Sequence, residues 1–231
     1  MKLSKTKINT YLRCPYQFRL KYIDEIEGEA NKYMIFGREV HLVAEIFLKE
    51  FSDNLCQINI DHELKKIEKK LNYELGHHLS NLAKFFREIE SNYNVVAVEK
   101  ELDSDELNLT GICDVILENR KGDLIIIDYK TGNSNSFSKY RLELCYYKLL
   151  VENAYKRKVS HVGIFFTKNG RLRLLKISDN QSKRKYLQPL EIEEAIEIME
   201  DVKVKVESED FSPNKQYTCR FCEYYDFCRG M

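Results

Sequence analysis

The chain has 231 residues, 43% of them hydrophobic, and its 37 Lys and Arg residues balance its 37 Asp and Glu residues. This length and hydrophobic content suffice for one sizeable core, so we expect residues 1–231 to form a single domain. The balanced charge excludes a uniformly basic surface for nucleic acid, so any such contact must use a local patch. Basic residues cluster at 2–7, 156–158 and 183–185, although each cluster is equally typical of an ordinary solvated face.

The sequence pattern predicts no membrane segment or export signal. Apolar runs such as residues 124–127 are far shorter than a membrane span, and the polar residues 1–5 lack the apolar stretch of a signal peptide. We therefore expect a soluble, cytoplasmic protein. A reducing compartment keeps thiols free, so we expect the seven cysteines to form no disulfide framework and to be available as metal ligands. We expect three of them to be packing residues instead: Cys56, Cys113 and Cys145.

Helices are predicted along the first 92 residues. Residues 4–23 form a helical segment that breaks at Cys14 and Pro15, because proline begins a helix more readily than it continues one. Residues 32–51 have apolar side chains at helical spacing, and His41 lies on a neighbouring stripe of this helix. Residues 61–92 form a long, charged amphipathic stretch. We interpret residues 52–93 as a helical insertion.

Strands dominate the next part of the chain. Residues 95–102, 107–117 and 124–129 are β-rich and separated by short polar turns, which predicts three hairpin-linked strands. A helix over 139–155, strands over 161–167 and 171–177, and an acidic helix over 187–206 complete the pattern. This order predicts a mixed α/β fold, with a mixed central sheet flanked by helices.

Two acidic residues, Asp114 and Asp128, lie on adjacent predicted strands joined by a tight turn. They can therefore converge on one divalent ion, and Mg²⁺ or Mn²⁺ prefers such oxygen ligands. Lys130 lies two residues beyond Asp128, so the period of a strand places both side chains on one face and Tyr129 on the other. The carboxylates would hold a metal that binds a phosphate, while the ammonium steadies an attacking water. An Asp-x-Lys pair alone also occurs by chance at exposed strand ends.

Four blocks of sequence resemble the RecB-like nucleases of the PD-(D/E)XK superfamily. They are Gly37-Arg-Glu-Val-His41-Leu-Val-Ala-Glu45, Gly111-Ile-Cys-Asp114-Val-Ile116, Asp128-Tyr-Lys-Thr-Gly132 and Glu143-Leu-Cys-Tyr-Tyr147. The corresponding family patterns are G-x-x-x-H-x-x-x-E, G-x-x-D-x-I, the lysine motif and Q-L-x-x-Y. The blocks follow the family's order, and the resemblance covers almost the whole chain, with its weakest part over residues 52–93. It implies a restriction-endonuclease-like core.

The resemblance also implies an active site. The implied metal ligands are His41, Asp114, Asp128 and the backbone carbonyl of Tyr129, and the implied catalytic lysine is Lys130. Tyr147 would contact DNA or the active-site network. Glu143 departs from the family's glutamine and places a negative charge where an amide is expected near phosphate. Glu45 and Glu99 can assist, but we interpret both as salt-bridge residues.

Four cysteines lie near the two ends of the chain: Cys14, and then Cys219, Cys222 and Cys228 as C-x2-C-x5-C. Their spacing fits a structural zinc ion or a 4Fe-4S cluster. The segments around them resemble the iron-sulfur branch of the same superfamily, which includes CRISPR-associated RecB-like exonucleases and the AddB-type nuclease domain. This resemblance implies a 4Fe-4S cluster that joins the termini as a staple.

The implied function is a metal-dependent DNA exonuclease that acts on single-stranded ends in CRISPR adaptation or in DNA repair. Endonuclease activity on loops or flaps stays open. One alternative is a non-catalytic DNA-binding subunit that delivers ends to an integrase or helicase partner, although the complete set His41, Asp114, Asp128 and Lys130 argues against it. A second alternative is an iron-sulfur redox sensor on a nuclease scaffold.

Overall fold

The protein is described by a computed structural model for residues 1–28, 32–71, 73–132, 136–177 and 191–228. The strands and α helices of the described residues are β1 (Leu3–Ser4), α1 (Lys5–Arg13), α2 (Pro15–Tyr22), α3 (Lys32–Phe51), α4 (Ile60–Lys70), α5 (His77–Asn92), β2 (Tyr93–Ser104), β3 (Leu109–Asn119), β4 (Leu124–Lys130), α6 (Arg141–Tyr155), β5 (Val159–Phe166), β6 (Arg171–Lys176), α7 (Ile192–Glu207) and α8 (Tyr225–Cys228). Short 3₁₀ helices span Leu55–Gln57, Phe137–Tyr140 and Tyr217–Phe221. This order confirms the mixed α/β architecture.

The first helical segment breaks at the proline, as predicted. The side chain of Ser4 accepts a hydrogen bond from the backbone N–H of Lys7 at 3.2 Å and so caps the start of α1. Cys14 has an extended backbone, and Pro15 occupies the start of α2, where its missing N–H leaves no hydrogen bond unmade. Cys14 therefore lies at the junction of two helices.

The central sheet is mixed. Strands β2, β3 and β4 are antiparallel neighbours, which confirms the hairpin prediction. Strands β4 and β5 are parallel and connected through α6, and β6 returns antiparallel to β5. The short strand β1, which the sequence did not predict, pairs parallel with the start of β3 through Leu3 and Leu109. Because β1 leads directly into α1, this pairing holds the start of α1 against the sheet.

A hydrophobic core lies on each face of the sheet. Helices α1, α6 and α7 cover one face, where Leu150 and Val202 are buried. Helices α3, α4 and α5 cover the other face, where Phe47 and Phe86 stack with ring centroids 4.8 Å apart. Burial on both faces explains why residues 124–127 of β4 are uniformly apolar.

The amphipathic stretch predicted over residues 61–92 is divided into α4 and α5. Gly76 precedes α5 with a φ of 55°, a left-handed conformation that glycine adopts at little cost. Phe85 of α5 stacks on Phe165 of β5, with ring centroids 4.2 Å apart. Helix α5 is therefore part of the layer that covers the sheet. The designation of residues 52–93 as an insertion stays a prediction.

The C-terminal segment returns to the N-terminal helices. The Tyr11 hydroxyl donates to the carbonyl of Asp210 at 2.6 Å, and the Tyr224 hydroxyl donates to the carbonyl of Ile26 at 2.9 Å. Because both hydroxyls are on partly or fully buried rings, these hydrogen bonds fix the tail against the body of the protein. The two ends of the chain are thus neighbours, whatever their cysteines bind.

Several predictions fall on or beside residues that the structure does not describe. The predicted acidic helix corresponds to α7, with residues 187–190 outside the described ranges, and the basic cluster 183–185 is also outside them. Cys113 and Cys145 are buried, which confirms their predicted packing, whereas the exposure of Cys56 shows that this prediction was wrong for it. None of the described helices is long and apolar enough to span a membrane.

His78 of α5 makes stability depend on pH. Its ring is buried, with Nδ1 at 2.8 Å from Oγ1 of Thr167. Burial, followed by repulsion from His77 and Lys168, lowers the pKa of His78 from 6.5 to about 4. The unfolded chain binds a proton here more readily than the folded protein does. The stabilisation from neutral His78 is therefore present above pH 6.5 and is lost as pH falls towards 4.

We expect the Tm of a His78→Asn variant to fall less between pH 6.5 and 4 than that of the unsubstituted protein. Asparagine keeps a hydrogen-bonding group at this position but cannot be protonated. Thermal unfolding followed by circular dichroism measures the difference. A His62→Asn variant is the control, because His62 is exposed and its loss should leave the pH dependence unchanged. The same dependence of Tm on pH in all three proteins would contradict this role of His78.

Candidate active site

The end of β4 carries the predicted Asp-x-Lys pair. Ile127 and Tyr129 lie in the core beneath α3 and α5, whereas Ile126 lies in the core beneath α6. Side chains alternate between the two faces of a strand, so Asp128 and Lys130 lie on the face of the sheet that α6 covers. The Nζ atom of Lys130 is 2.5 Å from Oδ2 of Asp128, so the two side chains share one face as the sequence predicted.

A second cluster lies beside the end of β4 and consists of His41, Glu99 and Asp114. The Nδ1 atom of His41 is 3.4 Å from Oε1 of Glu99 and 3.4 Å from Oδ2 of Asp114. One possible ligand atom from each of the three residues lies within 4.8 Å of the other two. Within the described ranges, no other three His, Cys, Asp or Glu residues have ligand atoms this close together. Helix α3 and strands β2 and β3 thus bring together residues that are distant in sequence.

Glu99 belongs to this cluster, although the sequence indicated only a salt bridge for it. In the register of β2 on β3, Glu99 falls between the pairs Val98–Val115 and Lys100–Cys113, and its φ of 43° is left-handed. This conformation costs on the order of 1–3 kcal/mol in a residue other than glycine. Such strain, together with two carboxylates that both face His41, indicates a site for a cation. Glu45, by contrast, pairs with Lys49 at 2.5 Å on the surface of α3.

Glu143 of α6 joins the pair at the end of β4. Its Oε1 atom is 2.6 Å from Nζ of Lys130, whose ammonium also lies 5.1 Å from the ring centre of Tyr140. The side chains of Glu143 and Asp128 are 9% and 1% exposed. The carboxylate at position 143 is therefore buried and ion-paired, where the glutamine of the family would supply a neutral amide.

A second lysine, Lys5, reaches the same carboxylates from the start of α1. Its Nζ atom is 3.1 Å from Oδ1 of Asp128, donates to Oε1 of Glu143 and lies 4.7 Å from the ring centre of Tyr147. Lys5 and Lys130 thus contact different oxygens of Asp128 and the same oxygen of Glu143. The sequence did not single out Lys5, because it lies outside the four motif blocks.

Two motif glycines let helices approach the strand ends closely. A Cβ atom on Gly111 would lie 3.0 Å from Cδ1 of Leu150 and 3.6 Å from Cε1 of Tyr147, both on α6. A Cβ atom on Gly37 would lie 3.2 Å from Oγ1 of Thr131, just beyond β4. A larger residue at either position would push a helix that carries a candidate site residue away from the sheet.

The charged groups of the site hold one another in ionised form. Burial opposes ionisation of Asp128, but Lys130 and Lys5 outweigh it and lower its pKa. Burial likewise opposes protonation of both lysines, but Asp128 and Glu143 raise their pKa values. Burial also opposes protonation of His41, yet the nearby carboxylates raise its pKa to about 10. Glu143 is the exception, because burial and then repulsion from Asp128 raise its pKa. The two lysines therefore do not fully offset Asp128 and Glu143, and the site favours a further cation.

The donor atoms fit a divalent metal ion. Oε1 of Glu99 and Oδ2 of Asp128 are buried, and each faces a cationic side chain: the first lies 3.4 Å from Nδ1 of His41 and the second 2.5 Å from Nζ of Lys130. Buried carboxylate oxygens of this kind are stabilised by a cation beside them. Oδ2 of Asp114 accepts a hydrogen bond from the N–H of Tyr129 at 2.6 Å, which brings the Tyr129 backbone to the cluster. Carboxylate and carbonyl oxygens suit Mg²⁺ or Mn²⁺.

The four terminal cysteines come to one corner of the molecule. The N–H of Asn214 donates to Sγ of Cys14 at 3.4 Å, and its carbonyl accepts from Sγ of Cys219 at 3.7 Å. Burial, and then the charges of Cys14, Cys222 and Cys219, raise the pKa of Cys228. Within the described chain, however, no three of these sulfur atoms lie within 4.8 Å of one another. The segments that carry the cysteines are therefore neighbours, but their sulfur atoms are not gathered around one point.

Comparisons with known proteins agree with this fold. The family model of the PD-(D/E)XK nuclease superfamily matches residues 2–229, and no curated protein matches the chain. Among solved structures, the chain is similar to a candidate exonuclease from Eubacterium rectale at 12% identity and a TM-score of 0.51, covering 98% of this chain and 87% of that chain. It is also similar to the protein SSO0001 at 15% identity and a TM-score of 0.38, covering 92% and 93%.

The family match includes all four motif blocks and the cysteines near both termini. The mixed sheet between two layers of helices is consistent with the core of that family. The chain therefore belongs to the PD-(D/E)XK nuclease superfamily.

Proposed function

We propose that this protein is a metal-dependent deoxyribonuclease that hydrolyses phosphodiester bonds at DNA ends. One observation carries the proposal: in a member of a nuclease superfamily, a cluster of His41, Glu99 and Asp114 lies beside the pair Asp128 and Lys130 at the end of β4. Hydrolysis of a phosphodiester must activate a water and stabilise charge on the phosphate. Metal ligands beside a lysine supply both requirements.

The metal would be held by His41, Asp114, Asp128 and the carbonyl of Tyr129, as the family resemblance implies. Glu99 adds a buried carboxylate oxygen that lies 3.4 Å from Nδ1 of His41. When bound, Mg²⁺ or Mn²⁺ supplies a Lewis acid that polarises the phosphate and acidifies a water. His41 must lose a proton to become a ligand, because both nitrogens of a protonated imidazole carry hydrogen and neither has a lone pair for a metal.

Lys130 would orient the attacking water and stabilise the phosphate. A bond forms between the water oxygen and phosphorus, and the bond from phosphorus to the leaving sugar oxygen breaks. Negative charge therefore increases on the phosphate oxygens, and an ammonium held beside Asp128 at 2.5 Å is placed to offset it. Tyr147 is only 2% exposed, which favours a role in the active-site network over direct contact with DNA.

Single-stranded ends are the substrate that we propose. The resemblance of the cysteine segments to the iron-sulfur branch, whose members resect or trim DNA ends, supports this choice, and the fold shared with a candidate exonuclease is consistent with action at an end. CRISPR adaptation and DNA repair both require the trimming of such ends. An integrase or a helicase would be the protein partner in these settings.

We also propose that Cys14, Cys219, Cys222 and Cys228 hold a 4Fe-4S cluster as a structural staple. The resemblance of the cysteine segments and the convergence of the thiols beside Asn214 support it. Four thiolates suit either such a cluster or a structural zinc ion, and the family resemblance favours iron.

A Lys130→Ala variant should lose metal-dependent cleavage while keeping its fold. Removal of the ammonium takes away stabilisation of the charge on the phosphate in the transition state, so kcat should fall about 10²- to 10³-fold. The measurement is the loss of a labelled oligonucleotide in Mn²⁺ or Mg²⁺, with circular dichroism as the check on folding. The control is Lys66→Ala, which removes a lysine of α4 that pairs with Glu63 at 3.2 Å.

Normal cleavage by the Lys130→Ala variant would exclude this lysine from the mechanism. An unsubstituted protein that binds DNA, but leaves it intact with either metal, would favour the non-catalytic assembly subunit instead.

Degradation should require a DNA terminus. We expect linear single-stranded DNA to be degraded and a covalently closed circle of the same sequence to persist, because an exonuclease must bind an end. Gel electrophoresis of both substrates over one time course measures the difference. Cleavage of the circle at a similar rate would identify the protein as an endonuclease.

A Cys222→Ser variant should lose visible absorbance and have a lower Tm, yet keep its cleavage rate per folded molecule. The cysteines lie near the end of α1, whereas the pairing of β1 with β3 holds its start beside the site. Anaerobic purification, metal analysis and thermal unfolding provide the measurements. The control is Cys56→Ser, since Cys56 is exposed. Bound zinc, or a colourless protein with unchanged Tm, would contradict the iron-sulfur staple.

A further inference from the structure

Lys5 places a second ammonium in the site. Its side chain is only 22% exposed, and a charged group that leaves water is stabilised only by close partners. Its partners are the two carboxylates that Lys130 also contacts, Asp128 and Glu143. These shared partners place the Lys5 ammonium next to the candidate catalytic lysine.

The arrangement of charges explains why a second lysine is present. The site holds four carboxylates, those of Glu99, Asp114, Asp128 and Glu143. If position 143 were glutamine, as in the family pattern, the site would contain one negative charge fewer. Lys5 supplies the positive charge that offsets this carboxylate, and its contact at 3.1 Å with Oδ1 of Asp128 brings it directly to an implied metal ligand.

We propose that Lys5 is a second catalytic lysine. Before a metal ion binds, its ammonium neutralises Asp128 and Glu143. When Asp128 serves as a metal ligand, Lys5 contacts the scissile phosphate beside Lys130 and stabilises the charge that grows there. This inference rests on the proposed nuclease activity and adds to it a residue outside the four motif blocks.

This role requires metal binding and turnover to change in opposite directions in a Lys5→Met variant. The substitution removes a positive charge beside a ligand carboxylate, so Mn²⁺ should bind more tightly, by about tenfold for the loss of one neighbouring charge. It also removes a contact to the phosphate, so kcat at saturating Mn²⁺ should fall about 10²-fold or more. General damage to the fold would weaken metal binding and turnover together.

The experiment measures the Kd for Mn²⁺ by calorimetry in the absence of DNA, and kcat on a labelled single-stranded oligonucleotide. The matched control is Lys148→Met, because Lys148 is also largely buried, at 14% exposure, and pairs with Glu152 at 2.6 Å on α6. We expect the control to have the Kd and kcat of the unsubstituted protein.

Two results for the Lys5→Met variant would overturn the proposal. One is an unchanged kcat, and the other is weaker Mn²⁺ binding together with a lower kcat. A Lys5→Met, Glu143→Gln double variant adds a third test, because it restores the charge balance without restoring the ammonium. Recovery of kcat in that variant would show that Lys5 only offsets Glu143.

Failure of the nuclease proposal is distinguishable from failure of this one. An unsubstituted protein that binds Mn²⁺ but cleaves no DNA would refute nuclease activity, and with it the contact of Lys5 with a scissile phosphate. The Mn²⁺ titrations would then still show whether Lys5 opposes the binding of a cation at Asp128.

Discussion

Repulsion among buried carboxylates is the constraint on which this site depends. Glu99 and Asp114 lie in the middle of β2 and β3, and they meet Asp128 at the end of β4 and Glu143 at the start of α6, where little water is available to screen them. Such a cluster is tolerated only when cations enter it. The protein supplies positive charge from three separate elements, through His41 of α3, Lys130 of β4 and Lys5 of α1. The same excess of acidic groups makes the site suitable for a divalent ion.

The topology of the sheet explains how these groups meet. Strand β2 pairs along the whole length of β3, so β1 and β4 share the other edge of β3, at residues 109–110 and 115–118 respectively. Helix α6 crosses from β4 to the parallel strand β5 and carries Glu143 over the end of β4. The close approach of α6 at Gly111 completes this arrangement. Each contribution to the site therefore comes from an element whose position the sheet determines.

Helix α1 connects the site with the cysteine corner. Lys5 begins the helix and Cys14 directly follows it, and its nine residues span about 13 Å. The start of α1 is held by the Ser4 cap and by β1, whereas the side chains of Asn214 and Gln216 donate to the carbonyl of Arg13 at its end. The two ends of the helix are thus held by independent interactions. A structural staple at one end can therefore stabilise the termini without entering the chemistry at the other.

The sequence by itself determined most of the helices, the strands β2 to β6 and the face of β4 that carries Asp128 and Lys130, because these features follow from local periodicity. It also indicated His41 and Asp114, through their motifs. Only the tertiary structure decided that Glu99 and Lys5 belong to the site. Their positions depend on the pairing of β2 and β1 with β3, and such register is set by contacts between distant segments of the chain rather than by neighbouring residues.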